Sequence, residues 1–277
     1  MNKVAILGHL YVLYTRYSHD GAYLHEGKER LQSLAANLNR EGVTTCILAG
    51  DYVHQANISN YQFLLQNFIK LVNADVVGLK SSHEFKGSSQ FVQTYFPEYS
   101  GFAEVPQLPF IALYSHWKPH RIRGHTVRLA REELAKVRAW TRTTDDPRIL
   151  IVPDLRWKAT HRANEMRAIL QDVDLLIVGD GEDAYHNYGW FHLGSNEGAR
   201  VVMTGFAYGL KGQLGGLGSR IDITLDGAEQ GVDIRMVPHC ENWDSLLYKM
   251  SESRLRRRRV SDVAVSRLKS LIRLGNK

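Results

Sequence analysis

Apolar positions fall into two alternating patterns over most of the chain. Compact runs rich in Val, Ile and Leu occupy residues 4–7, 45–48, 76–79, 148–152 and 175–178, each the length of a strand buried on both faces. Between the first two, residues 26–40 carry Leu31, Leu34 and Leu38 at helical spacing and stop before Gly42. Residues 59–72 predict a second helix, with Ser59 as its N-cap and Phe63, Leu64, Phe68 and Leu71 on its buried side. Residues 131–141 and 159–170 predict two more, each leading into a strand. Such alternation predicts βαβ units with right-handed crossovers. From Tyr188 the pattern changes to closely spaced strands broken by Gly and Asn, which predicts an antiparallel second sheet packed on the first. The pattern alone therefore predicts an α/β chain folded as a two-sheet sandwich.

Four of these strands end in polar residues, in the segments Ile6-Leu7-Gly8-His9, Ala49-Gly50-Asp51-Tyr52, Ser81-Ser82-His83-Glu84 and Val178-Gly179-Asp180-Gly181-Glu182. Loops that follow buried strands are where open α/β sheets gather their ligands. His54, His116, His120 and His186 have no spacing that singles them out and read as surface or structural histidines. The glycine-rich stretch 212–218 lacks the Lys-Ser/Thr of a phosphate-binding loop and opens no helix, so it reads as a loop or hairpin connection.

The order of the four segments resembles the calcineurin-like metallophosphoesterase superfamily, whose pattern runs Asp-x-His, Gly-Asp, Gly-Asn-His-Asp/Glu, a lone His and then Gly-His-x-His. The first motif keeps His9 but has Leu7 in the carboxylate position, and Gly50-Asp51 matches the second. The third keeps His83 and Glu84 with Ser82 in place of Asn, and the lone His is lost near Pro153-Asp154. The last motif becomes Gly179-Asp180-Gly181-Glu182, with carboxylates where both histidines belong. The run 200–210, followed by strands at 221–225 and 232–236, is similar to the nuclease branch, the SbcD-type subunit of double-strand-break repair complexes. The similarity spans roughly residues 3–238, with weak motifs over 85–148, a stretch that reads as a family-specific insertion for a partner.

The resemblance implies a two-sheet α/β sandwich of the metallophosphoesterase type with flanking helices. It also implies that Asp51 bridges metals and that His83 protonates the leaving group or steadies the phosphate, work suited to a side chain that titrates near neutrality. One cation position would keep His9, Asp51 and Glu182, donors that suit Mn²⁺, Fe²⁺ or Zn²⁺. The other would have Asp51, Ser82, Asp180 and Asp154, an oxygen-rich set suited to Mg²⁺ or Ca²⁺. Leu7 offers no lone pair, so the expectation is one Mn²⁺ (or Mg²⁺ or Zn²⁺) rather than a full two-metal site. Without a cation the carboxylates repel one another, and His9, Lys80 or Arg156 must offset them.

Composition adds limits. The chain has 277 residues, 44% of them apolar, enough for a substantial core. It has no apolar run of about 18 residues, so no membrane partner is expected. Cys46 and Cys240 stand alone, and Met1-Asn2-Lys3 leads into a strand rather than a signal peptide, which predicts a cytoplasmic protein with reduced thiols.

The net charge of +6 is unevenly spread. Arg254, Arg256, Arg257, Arg258, Arg259, Arg267, Lys269, Arg273 and Lys277 face the single acid Asp262, so residues 254–277 carry about +8 and the rest about −2. Dense cationic runs bind nucleic acid by releasing counterions, which makes these arginines and lysines candidate phosphate contacts. Residues 261–274 predict a basic helix capped by Ser261 with Val265, Leu268, Leu271 and Ile272 on one side. The resemblance implies that this helix docks on an ATPase subunit or other protein; packing on its own body fits the pattern equally. The expected organisation is a metallophosphoesterase-like domain over residues 1–240 and a basic helical tail over 241–277. The preferred reading is a pseudoenzyme, non-catalytic or weakly active, that binds nucleic acid or a nuclease-type complex. The alternatives are an active divergent phosphodiesterase or DNA nuclease and a structural component of a larger assembly.

Overall fold

The computed structural model describes residues 2–10, 12, 27–85, 96–120, 124–144, 147–179, 190–192, 200–203, 219–226 and 231–238. The predicted basic tail, with the proposed division at residue 240, lies outside the described residues, as do Asp180, Glu182 and His186.

The first sheet grows from strands β1 (Asn2–Leu7), β2 (Thr45–Leu48) and β3 (Asp75–Leu79), which run parallel. A two-residue strand, β4 (Glu98–Tyr99), continues it beyond β3. The second sheet grows from β6 (Leu108–Tyr114), β9 (Ile149–Val152), β10 (Leu175–Val178) and β12 (Arg200–Met203), also parallel, flanked by antiparallel β5 (Phe102–Val105) and β11 (Trp190–His192). A separate ribbon pairs β7 (Trp117–His120) with β8 (Gly124–Val127).

Alternation along the strands explains the layering. Val4, Ile6, Ile47, Val77, Leu113, Ile151 and Ile177 fill the space between the sheets. Their neighbours Ala5, Leu7, Cys46 and Leu48 face the other way, against helix α1 (Gly27–Arg40) and the apolar face of α2 (Ile58–Leu64). Leu150, Val152, Leu176 and Val178 do the same against α3 (Arg131–Thr143) and α4 (Ala163–Leu170). Every inner strand is thus buried on both faces, which is why the runs are continuously apolar. Full burial of one Leu or Ile side chain stabilises by about 1.5–3 kcal/mol.

Three expectations need correction. The strands after Tyr188 do not build a sheet of their own. β11 and β12 extend the parallel second sheet, whereas β13 (Ser219–Asp226) and β14 (Gly231–Pro238) close the first one beside β1. The reason is register: Ile221 and Ile223 lie opposite Ile6 and Val4 and complete the layer between the sheets. Next, the stretch 85–148 is not a detachable insertion, because β6 lies between β5 and β9 within the second sheet. Finally, the N-cap of α2 is Asn57, whose side chain accepts from the amide of Asn60. That helix widens into a π-turn over Leu65–Ile69, where the Asn67 side chain donates to the Phe63 carbonyl at 2.9 Å. The extra residue shifts the phase of the positions after it, so Val72 is buried and Leu71 is 41% exposed.

Candidate functional site

The polar segments meet where the parallel strands of both sheets end. Two glycines allow the meeting. A β-carbon on Gly179 would lie 1.7 Å from the Ala49 carbonyl oxygen, so β10 abuts β2 only because that atom is missing. A β-carbon on Gly50 would meet Pro153 at 2.9 Å and Ser81 at 3.0 Å, and its φ of +98° suits glycine alone.

His9 and Asp51 both take left-handed backbone conformations, with φ of 47° and 49°. Such conformations are uncommon outside glycine, cost about 1–3 kcal/mol each, and cluster at functional sites. They turn the two side chains toward each other, His9 Nε2 lying 2.7 Å from Asp51 Oδ2. The other Asp51 oxygen accepts from the Ser81 hydroxyl and from the His83 amide at 3.3 Å. Burial alone would raise the Asp51 carboxyl. The hydrogen bond and charge of His9, the charge of His83 and the Ser81 hydroxyl outweigh it and hold Asp51 well below the usual carboxylate range.

Glu84 is fully buried and spends its oxygens on the backbone. Oε1 accepts from the Val53 amide at 3.1 Å, and Oε2 from the amides of Asp51 and Ser81 at 3.1 and 2.9 Å. It is a clamp joining the loops after β2 and β3. Ser81 Oγ contacts Asp51 Oδ1 and, at 2.7 Å, Glu84 Oε2, yet a hydroxyl has one proton to give. Burial, and next the Asp51 charge, push the Glu84 carboxyl up to about 7.

His83 is buried in a short 3₁₀ turn. Its Nδ1 lies 2.6 Å from the His54 carbonyl, which only accepts, so Nδ1 carries a hydrogen. The His54 ring lies beside it, with centroids 5.4 Å apart.

A second cluster stands at the ends of β6 and β9. Asp154 Oδ1 accepts from His116 Nε2 at 2.7 Å and from the Arg156 amide at 2.8 Å, while Oδ2 accepts from Trp117 Nε1 at 2.6 Å. These partners, led by His116, hold Asp154 below its ordinary range despite burial. His116 is fully buried.

The fold thus brings His9, Asp51, Glu84 and His83 together and sets Asp154 in its own network; Asp180 and Glu182 lie outside the described residues, as do Arg254, Arg256, Arg257, Arg258, Arg259, Arg267, Lys269 and Arg273. His9 offsets the Asp51 charge, whereas Lys80 pairs with Glu98 at 3.3 Å and Arg156 lies over the Trp117 ring. The hydroxyl at Asp51 belongs to Ser81 rather than Ser82, one position earlier. His116, read from the sequence as a surface or structural histidine, is a buried one that holds Asp154, at the end of the apolar run Phe110-Ile111-Ala112-Leu113 whose close in Ser115-His116 has the strand-then-polar form of the other segments.

The described donors do not fit a two-metal centre. Leu7 packs into the apolar cluster beneath α1 and α2, and both oxygens of Glu84 and of Asp154 are occupied. No three His, Cys, Asp or Glu side chains among the described residues are placed to share an ion. Likewise, no described helix is long and apolar enough to cross a membrane.

No protein-family model matches the sequence, and no curated protein does. Solved structures do match the fold. A dimetal phosphatase from Danio rerio superposes with a TM-score of 0.53 at 10% identity, covering 86% of this chain and 99% of its own. The purple acid phosphatase PPD1 from yellow lupin (Lupinus luteus) gives 0.51 at 9% identity, over 86% of this chain and 53% of its own. The chain has the two-sheet metallophosphoesterase fold.

Proposed function

We propose that this protein is a metallophosphoesterase-fold binding protein, non-catalytic or weakly active, that engages nucleic acid or a nuclease-type complex and holds at most one divalent cation weakly. The observation that carries the reading is the fate of the carboxylates. Glu84 clamps three backbone amides and Asp154 bridges two side chains and an amide, so every oxygen of both is already engaged by the protein. Two-metal hydrolysis needs cations that clamp the phosphate and generate hydroxide, and Leu7 removes a carboxylate from that arrangement. Nucleic acid as the partner is supported by the bases of 254–273 and by the similarity of 200–236 to the nuclease branch. The apolar stripe of 261–274 supports a protein partner.

A second reading, a divergent active phosphodiesterase, is favoured by the left-handed backbone of His9 and Asp51. In it Asp51, His9, Asp180 and Glu182 hold one Mn²⁺ and His83 protonates the leaving oxygen.

Calorimetry of the metal-free protein with Mn²⁺, beside cleavage assays on single- and double-stranded DNA, separates the two. The preferred reading expects DNA binding with weak or no Mn²⁺ affinity and no cleavage above background. Tight Mn²⁺ binding with cleavage that Asp51→Asn plus His83→Ala abolishes would establish the second reading instead.

A further inference from the structure

The remainder of the chain outside 254–277 is slightly acidic, yet two segments beside the candidate site run against that balance. From Trp117 to Arg131 there are five Lys and Arg, two His and no acid. From Leu155 to Arg162 there are three more bases, one His and again no acid. The first segment is the β7–β8 ribbon and its link to α3, whose first turn then carries Glu132 and Glu133; the second is a 3₁₀ turn, Arg156–Ala159, and its continuation into α4.

The fold joins these segments. Asp154 accepts from Trp117 Nε1 of the ribbon and from the Arg156 amide of the turn, and the Arg156 guanidinium lies 5.4 Å from the centre of the Trp117 ring. The joined segments also sit at the end of the sandwich that carries His9 and Asp51. Ser115 donates to the Lys80 carbonyl at 2.5 Å, next to Ser81, and Pro153 packs on Gly50, next to Asp51. His120, Arg128, Arg131 and Arg156 are exposed and Lys158 is half-buried. Arg128 and Arg156 have no ion pair among the described residues, whereas Arg162 is held by Glu165 at 2.5 Å.

We infer that the β7–β8 ribbon and the 156–162 turn, bound together by Asp154, form a phosphate-backbone contact surface for nucleic acid beside the candidate site. This deepens the proposed function and rests on it for the class of partner. Exposed Arg128 and Arg131, which follow the ribbon, and Arg156 on the turn present several cations to solvent, which matches a polymer of phosphates, and counterion release supplies the affinity. Trp117 is only 4% exposed, so it offers no ring for a base to stack on, and the contact reads charge and spacing rather than sequence. An anionic membrane fits less well. Interfacial binding needs apolar side chains on the same face. The large hydrophobics exposed among the described residues, Ile58 and Leu71, belong to α2 and its continuation.

The test uses the full chain and mixed-sequence DNA oligonucleotides, with affinity measured against salt for the parent, for Arg128→Gln/Arg156→Gln/Lys158→Gln, and for glutamine at Arg254, Arg256, Arg257, Arg258 and Arg259. Circular dichroism first establishes that each is folded. The inference expects the triple variant to lose affinity about tenfold or more and to flatten the salt slope by about one per removed phosphate contact, equally on unrelated sequences. If the triple variant binds as the parent does while the tail variant loses affinity, the rim is not a contact surface and the proposed function stands. If the parent binds vesicles containing phosphatidylserine but no oligonucleotide, both the inference and the nucleic-acid part of the proposed function fail.

Discussion

At the scale of single residues, Glu84 carries more of the site than Asp51 does. Replacing it with Ala strands the amides of Val53 and Ser81 in the interior and leaves the Asp51 amide only the Ser81 hydroxyl at 2.9 Å, and each unsatisfied buried donor costs about 1–3 kcal/mol. Urea unfolding of Glu84→Ala is expected to show a loss of about 3 kcal/mol or more, with a smaller loss for Glu84→Gln, which keeps an acceptor. The same carboxyl predicts a pH dependence. Its folded value, about 7, is above its ordinary one, so its stabilising contribution is complete below about 4.5 and is lost as pH rises through 7. Asp51 acts in the opposite sense, stabilising above its ordinary value and failing only in strong acid. Unfolding free energy measured from pH 4.5 to 8 should therefore fall with pH in the parent and flatten in Glu84→Gln. A parent profile that rises across that window would contradict the raised Glu84 carboxyl.

At the scale of elements, the strand ends and glycines set the geometry. Gly179→Ala drives a methyl group into the Ala49 carbonyl, and neither backbone has room to yield, so the variant is expected to be insoluble or to unfold at least 10 °C lower, read by thermal denaturation. Ile177→Ala, in the layer between the sheets, should cost about 2–5 kcal/mol without changing the site. The strands 45–48 and 175–178 were legible to the residue because short β-branched apolar runs between turn signals read as strands buried on both faces, and α1 was legible over Gly27–Arg40, position 26 lying outside the described residues. The pairing of β13 and β14 with the first sheet was not legible. Alternation tells which residues face inward, but not which sheet edge is open to receive them. Nor was the π-turn, since a helix widened by one residue keeps the composition of a regular one and shifts only the phase of Leu71 and Val72.

At the scale of the whole molecule, one physical preference ran from the sequence to the site: strands buried on both faces must release their polar residues at their ends. That made His9, Asp51, His83 and Glu84 findable from the sequence. It left the roles of Glu84 and Asp154 hidden, because a carboxylate that binds an ion and one that clamps amides follow a strand in the same way. It also hid His116, whose strand lies in the stretch with the weakest motifs. The central claim is that the described carboxylates are committed to the protein itself rather than to metal. The most direct measurement is thermal unfolding of the full chain in EDTA and in 1 mM Mn²⁺. A ligand present at a thousand times its dissociation constant stabilises the folded state by about 4 kcal/mol, whereas one near its dissociation constant adds about 0.4 kcal/mol. The account predicts midpoints that agree within about 1 °C, in line with the smaller figure. A rise of 8 °C or more in Mn²⁺, abolished by Asp51→Asn, would contradict it.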